Sequence, residues 1–254
     1  MHIKINHLNV LLGEREVITG LNLDIPSGTS VAIVGKSGVG KTTLLRVIAG
    51  LITPDAGRVL IDGAVPESFF GSAKLAYLFQ RAHLWQHLTV RNNLRLIYEL
   101  HGRAVDETHI DLQLEAVDLS DAQQLHPFQL SAGMKARAAI ARVLCLPPQV
   151  LLMDEPFAQL DPIRRLDLNR LIHRTCQQIG ATTVWVTHDV SEALMFADRI
   201  VAVTAPRNIA IFDTTELPHI EDAGDLPGAV RDLRDRIIAA CWGKTEEAAS
   251  RSTE

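Results

Sequence analysis

Two short stretches carry residue types at spacings that suit chemistry on a polyphosphate. The first is Gly35-Lys36-Ser37-Gly38-Val39-Gly40-Lys41-Thr42-Thr43. It fits the pattern G-x-x-x-x-G-K-[ST], in which glycines let backbone N–H groups approach phosphate oxygens closely. Lys41 is expected to reach the β- and γ-phosphates, and Thr42 to offer its hydroxyl to Mg2+. The positive end of a helix following the loop would add a favourable field at the anion. The second stretch is Val150-Leu151-Leu152-Met153-Asp154-Glu155, a strand-like run that ends in two acids. Sheet enzymes collect their ligands beyond the carboxyl ends of such strands. Asp154 is expected to hold the magnesium ion through water, and Glu155 to polarise the attacking water as general base. Each stretch alone has an ordinary reading, as a Gly-rich turn or as acids capping a helix. Their pairing makes them catalytic candidates.

The flanking patterns supply elements to hold these residues. Leu21, Leu23 and Ile25, then Val31 and Ile33, alternate with polar residues as strands do, with the turn Pro26-Ser27-Gly28 between them. The second of these strands runs directly into the Gly loop. After the loop, Leu44, Leu45, Ile48 and Leu51 recur at helical spacing, and Gly50 and Pro54 supply a stop. Strand, Gly loop, helix is the order a phosphate-binding motif requires. From about Thr89 to Leu146 the pattern is mostly helical, with Thr89 as an N-cap and an Ala-rich segment from Ser131 onward. Val150–Asp154 and Thr182–Thr187 read as buried strands around a helix near Arg164–Ile179, the signature of a parallel α/β sheet. Beyond Thr204 the pattern weakens, but Val230, Leu233, Ile237 and Cys241 share one helical face before a polar end expected to fray.

Composition bounds the rest. A chain of 254 residues with 47% apolar content can bury a substantial core, which argues against disorder. Its net charge of −5 supplies no basic field for steering toward nucleic acid. Cys145, Cys176 and Cys241 form no C-x-x-C pair, so neither a zinc site nor a disulfide framework is indicated, and a reducing compartment is expected. The N-terminus lacks the apolar core of a signal peptide, and no run approaches the ~20 apolar residues of a membrane helix. Any membrane role is expected to be peripheral.

Further motifs, in order, make the chain resemble the ATP-binding-cassette (ABC) transporter ATPase family over about residues 1–205. Gln80 in Tyr77-Leu78-Phe79-Gln80 looks like the Q-loop, Leu130-Ser131-Ala132-Gly133-Met134 like the signature motif, and Leu160-Asp161 like the D-loop. His188 in Val186-Thr187-His188-Asp189 looks like the switch histidine. The resemblance implies an α/β P-loop NTPase fold, with a RecA-like parallel sheet core, antiparallel N-terminal strands and a helical signature subdomain at about residues 86–146. Residues 206–254 would form a C-terminal extension. It implies ATP and Mg2+ as ligands, with the amide of Gln80 on the metal or its water. Ser131 and the backbone of Gly133 would open a helix, a natural anion site. In the family that site caps the γ-phosphate bound by the other subunit. With one Gly loop and one signature, the chain would need a partner, most simply a second copy of itself. His188 would donate to the γ-phosphate and fix the attacking water as a positioner.

Two departures from the family pattern stand out. Ala132 occupies the position of a glycine, tolerable if its φ is negative but expected to lower closure affinity and turnover if φ must be positive. The stretch Leu8-Asn9-Val10-Leu11-Leu12-Gly13 has no aromatic residue to stack on adenine, so Val10, Leu11 or Leu12 must serve, forgoing ~1 kcal/mol and leaving the choice between ATP and GTP open. After Gln80, Trp85 is suited to anchor an integral membrane permease, with packing inside the helical subdomain as the alternative.

The short connector between Asp62-Gly63 and Gln80, together with Leu130 to Met134, Asp154-Glu155-Pro156-Phe157 and Thr204-Ala205-Pro206-Arg207-Asn208-Ile209, resembles the nitrate, sulfonate and taurine importer branch; Asp225-Leu226-Pro227 resembles its C-terminus more loosely. The resemblance therefore implies the ATPase subunit of an importer, on the cytoplasmic side of the inner membrane, working with permease subunits and indirectly with a substrate-binding protein. A lipid-trafficking ABC ATPase and a soluble ABC ATPase of DNA repair or translation are the alternatives.

Overall fold

A computed structural model of the chain describes residues 1–206, 208–217 and 227–242. Arg207, Asp225, Leu226 and the polar end expected to fray at 243–254 lie outside the described residues. In chain order the elements are β1 (Ile3–Leu12), β2 (Arg15–Ile25), β3 (Ser30–Val34), α1 (Lys41–Ile48), β4 (Ala56–Ile61) and β5 (Leu75–Leu78). Then come α2 (Val90–Leu100), α3 (Glu107–Ala116), α4 (Ala132–Leu144), β6 (Val150–Asp154), α5 (Pro162–Ile179) and β7 (Thr182–Val186). The series ends with α6 (Val190–Phe196), β8 (Arg199–Ala205), β9 (Asn208–Asp213) and α7 (Gly228–Trp242).

The strands make two sheets. A small antiparallel one has the order β2-β1-β4, and a larger one the order β5-β6-β7-β3-β8-β9. In the larger sheet every neighbouring pair is parallel except β8 and β9. β3, β6 and β7 are buried along their whole length. Their side chains divide between two cores, as alternation demands. Val31, Ile33, Leu152, Val184 and Val186 join α1 and the antiparallel sheet on one face. Ala32, Val34, Leu151, Met153 and Trp185 join the helices α2 to α7 on the other. This is why those strands read as continuous apolar runs rather than as alternating ones.

Several helices start where a short polar side chain can satisfy a free N–H. Thr89 accepts from Asn92 N, Ser131 from Met134 N, Asp161 from Arg164 N, and Asp189 from Ser191 N and Glu192 N. Each such cap stabilises its helix by about 1 kcal/mol. Residues 90–144 contain α2, α3 and α4 and no strand, as the helical pattern from Thr89 leads one to expect. Asn93, fully buried, pins the turn before α2: its Oδ1 accepts from Trp85 N, and its Nδ2 donates to the carbonyls of Trp85, Leu88 and Thr89.

The boundary expected at 205/206 does not coincide with a break in the fold. β9 pairs antiparallel with β8 across it, Ala205 opposite Asn208, and so belongs to the main sheet. β9 is an edge strand of half-buried and exposed residues, which leaves little apolar signal in the sequence. α7 closes the same core, with Val230, Leu233, Ile237 and Cys241 all buried.

Candidate active site

The Gly loop runs from the end of β3 to the start of α1, and its glycines are there for steric reasons. Gly35 has φ 153, and a Cβ on it would lie 2.2 Å from the carbonyl oxygen of Val203. Gly40, the residue that opens α1, has φ 113, and a Cβ there would lie 2.4 Å from Val17 Cγ1. Gly38 has φ 74 with open space around it. Lys36, Ser37 and Gly38 are exposed at the tip, and Val39, Gly40, Thr42 and Thr43 are half-buried. Lys41 is buried, and its Nζ donates to the carbonyls of Gly35 at 2.9 Å and Lys36 at 3.0 Å. Burial lowers its pKa from the usual value, and the nearby charges of Glu155 and Asp154 oppose that shift. The first turn of α1 holds no acid, so its free N–H groups and positive end face the loop uncompensated.

Beside the loop, Thr42 Oγ1 donates to Asp154 Oδ1 at 2.7 Å. Asp154 is 2% exposed and ends β6. A hydroxyl and a carboxylate oxygen meeting next to a phosphate cradle are the hard donors that Mg2+ takes, so these residues suit that ion. Glu155 follows with φ 46, a left-handed conformation costly for a residue with a side chain, while its N–H still donates to Val186 O at 3.2 Å. Gln80 Nε2 donates to Glu155 Oε2 at 3.3 Å, and His188 Nδ1 stands 3.8 Å from the same oxygen. The physical basis is strand order. Gln80, Glu155, His188 and the Gly loop follow β5, β6, β7 and β3, which are consecutive neighbours in one parallel sheet. Adjacent strand ends lie ~5 Å apart, so their trailing residues are brought together.

Ser131 and Gly133 are not part of this cluster. They line a separate cleft of about 350 Å³ with Arg137, Leu160, Asp161 and Arg164. Ser131 Oγ accepts from Met134 N at 3.2 Å, and among the described residues no hydrogen bond joins it to the Gly loop. Within one copy, the two halves of the expected phosphate site are therefore apart.

The two departures resolve differently. Ala132 is the first residue of α4, and among the described non-glycine residues positive φ occurs at His7, Asp62, Asp118 and Glu155 only, so its Cβ brings no backbone strain. Of the three candidates for adenine contact, Val10 is fully buried and unavailable, whereas Leu11 and Leu12 are 39% and 51% exposed. Trp85 is half-buried with the Arg142 guanidinium 5.0 Å above its ring, and Arg142 also donates to His83 O at 2.7 Å.

Some residues at the site carry no signal in the sequence. Arg15, at the start of β2, donates to Gly38 O at 3.2 Å, and Val17 walls Gly40. Glu192 does carry a signal, but one with another meaning: Asp189-x-x-Glu192 reads as a capping box.

The profile of the family described as ABC transporter matches residues 18–158. The aliphatic sulfonates import ATP-binding protein SsuB of Pseudomonas putida is 41% identical over 235 residues, covering 92% of this chain and 84% of that protein. The sulfate/thiosulfate import ATP-binding protein CysA of Yersinia pestis is 39% identical over 211 residues, covering 80% of this chain. The chain spans only 58% of the length of that relative. Among solved structures, a dimeric post-hydrolysis state of the ATP-binding cassette MJ0796 bound to ADP and Pi superposes with a TM-score of 0.75 at 28% identity, covering 84% of this chain and 98% of that one.

Proposed function

The chain belongs to the ABC transporter family, and on that premise we propose that it is the ATP-binding and ATP-hydrolysing subunit of an importer for a small solute of the nitrate, sulfonate or taurine kind. The observation that carries the reading is the approach of Gln80 and His188 to one oxygen of Glu155, beside the pair Thr42–Asp154. The relatives named as sulfate and sulfonate import proteins favour an importer over lipid trafficking or a soluble role. Their names point to sulfate and sulfonates among such solutes. Among the described residues no helix is long and apolar enough to cross a membrane. As the importer reading implies, the transport path belongs to separate permease subunits, gripped by this chain from the cytoplasmic side of the inner membrane, and a substrate-binding protein delivers the solute. Nucleic acid has no part in the scheme.

In this mechanism the amides of Gly35 to Thr43 bind the triphosphate, and Lys41 exchanges its two loop carbonyls for β- and γ-phosphate oxygens. Thr42, Asp154 and Gln80 would hold Mg2+, which would supply charge neutralisation at the phosphates. Glu155 takes the proton of the attacking water as general base, and His188 holds that water and the γ-phosphate in line. Ser131 and Gly133 at the start of α4 seal the nucleotide of a second copy, so the working unit is a head-to-tail pair with two composite sites. The helical segment at about 86–146 carries that closure to the permease, with Trp85 at the contact.

The test is Glu155→Gln, which removes the base and leaves the Gly loop untouched. With saturating Mg-ATP the variant is expected to elute as a dimer on size exclusion and to hydrolyse ATP orders of magnitude more slowly while binding it normally. A variant that stays monomeric with nucleotide bound contradicts the scheme.

A further inference from the structure

The loop that carries His188 is held by a carboxylate that the scheme above does not use. Glu192, on α6, has a side chain only 13% exposed. Its Oε2 accepts from Thr187 Oγ1 at 2.9 Å, and the oxygen of that hydroxyl in turn accepts from Asp189 N at 3.0 Å. Thr187 is thus tied to Glu192 directly, and Asp189 through the Thr187 hydroxyl. The other oxygen, Oε1, stands 3.6 Å from Arg165 Nε, and neither atom has a hydrogen-bond partner at normal distance. Arg165 lies in the first turn of α5, 25% exposed, with its Nη2 at 3.5 Å from Leu160 O. Glu192, Arg165, Thr187 and His188 line one narrow crevice together with Glu155.

Burial pushes the Glu192 carboxyl up from its usual value, while the Thr187 hydroxyl and the Arg165 charge pull it back. Desolvation of two charged groups offsets most of their attraction, so such a pair contributes more to orientation than to stability. What it orients here is specific. On one side is the backbone around His188, and on the other is the Leu160-Asp161 turn, which also faces the cleft containing Ser131 and Gly133.

We propose that Glu192 is a positioning residue for hydrolysis: through Thr187 on one side and Arg165 on the other, it locks the His188 loop to the start of α5. His188 and the Leu160-Asp161 turn then hold a fixed spacing around Glu155. This rests on the ATPase reading above. Glu192 acts through these two neighbours rather than on the reacting atoms.

The experiment is steady-state ATP hydrolysis and fluorescent ATP-analogue binding by the full chain, comparing wild type with Glu192→Ala, Glu192→Gln, Arg165→Met and the double variant Glu192→Gln/Arg165→Met. Glu192→Ala and Arg165→Met are expected to lower kcat about tenfold while KM and analogue affinity stay within about twofold, because neither substitution reaches the Gly loop. Glu192→Gln keeps an oxygen for Thr187 and should retain more activity than Glu192→Ala. The double variant should be no slower than the slower of its two single variants, since both remove one link. Unchanged kcat, additive losses, or analogue affinity falling in step with kcat would each overturn the inference. An active wild type beside unaffected variants sinks this inference alone, whereas a wild type that binds ATP without hydrolysing it sinks the ATPase reading and this inference with it.

Discussion

Thr42 Oγ1 donates a 2.7 Å hydrogen bond to Asp154 Oδ1, joining the first turn of α1 to the last residue of β6 across 112 positions of sequence. The bond closes the space between the Gly loop and the acids, and it brings two hard oxygen donors to one point. Replacing Thr42 with valine keeps the β-branched shape and removes the hydroxyl. The Mg2+ concentration for half-maximal hydrolysis is expected to rise about tenfold or more, with metal-free nucleotide binding little changed. A metal titration of hydrolysis, set against nucleotide binding in EDTA, checks this.

The three glycines of the loop should not be equally sensitive. A Cβ at Gly35 or Gly40 lands 2.2 or 2.4 Å from existing atoms, and Val203 O, as backbone, has little room to give. Gly38 meets nothing and has only its φ of 74 to set against a side chain. Gly38→Ala should therefore cost about 1–2 kcal/mol of stability. Gly35→Ala should cost more than about 2 kcal/mol, and it should weaken nucleotide binding as the loop shifts. Thermal unfolding of the three alanine variants gives the order directly.

Ala132→Gly restores the family's glycine, yet no faster hydrolysis is expected. Ala132 already sits at the head of α4 without positive φ, so a glycine there gains no conformation it needs. The variant should instead lose up to about 1 kcal/mol of helix stability. ATPase rates of the two proteins side by side decide the matter, and a clear gain in rate would show that the Cβ itself obstructs closure.

Asp118 links the helical segment to α5, accepting from Arg137 at 2.9 Å and Arg164 at 2.7 Å. Those hydrogen bonds hold its carboxyl below the ordinary value of 3.8, Arg164 contributing most. Since the folded-state pKa is depressed, its stabilisation is complete above the unfolded value and is lost as pH falls through the folded one. Asp118→Asn should flatten that acid-side loss in denaturation measured from pH 5 downward. Asn tolerates the left-handed backbone at φ 54 as well as Asp does, so the comparison is not clouded by strain. The effect is expected to be small and to shrink with added salt, because Asp118 is exposed.

Much of this was written in contiguous residues. The buried runs of β6 and β7, the Gly loop between β3 and α1, and the caps Thr89 and Ser131 all depend on neighbours within a few positions, so their patterns survive without tertiary context. β9 did not announce itself because an edge strand with a wet face has no apolar run to display. Glu192 was hidden by a local meaning: the residue that closes a capping-box pattern also reaches Thr187 and Arg165. Arg15 offered nothing at all, since one basic residue at the start of a strand is ordinary until Gly38 O is found 3.2 Å away.

From its sequence alone, the chain determined which residues could grip a phosphate and which acids could serve a metal and a water, because the backbone freedom of glycine and the types of adjacent side chains are local properties. Only the tertiary structure decided that Gln80, Glu155 and His188 share one corner, that Val10 is sealed from any nucleotide, and that Ser131 lines a cleft apart from its own Gly loop. These outcomes follow from the order β5-β6-β7-β3 in one parallel sheet and from the side of it on which α4 packs. Strand order is settled by burial among residues far apart in the chain, and no short stretch of sequence contains it.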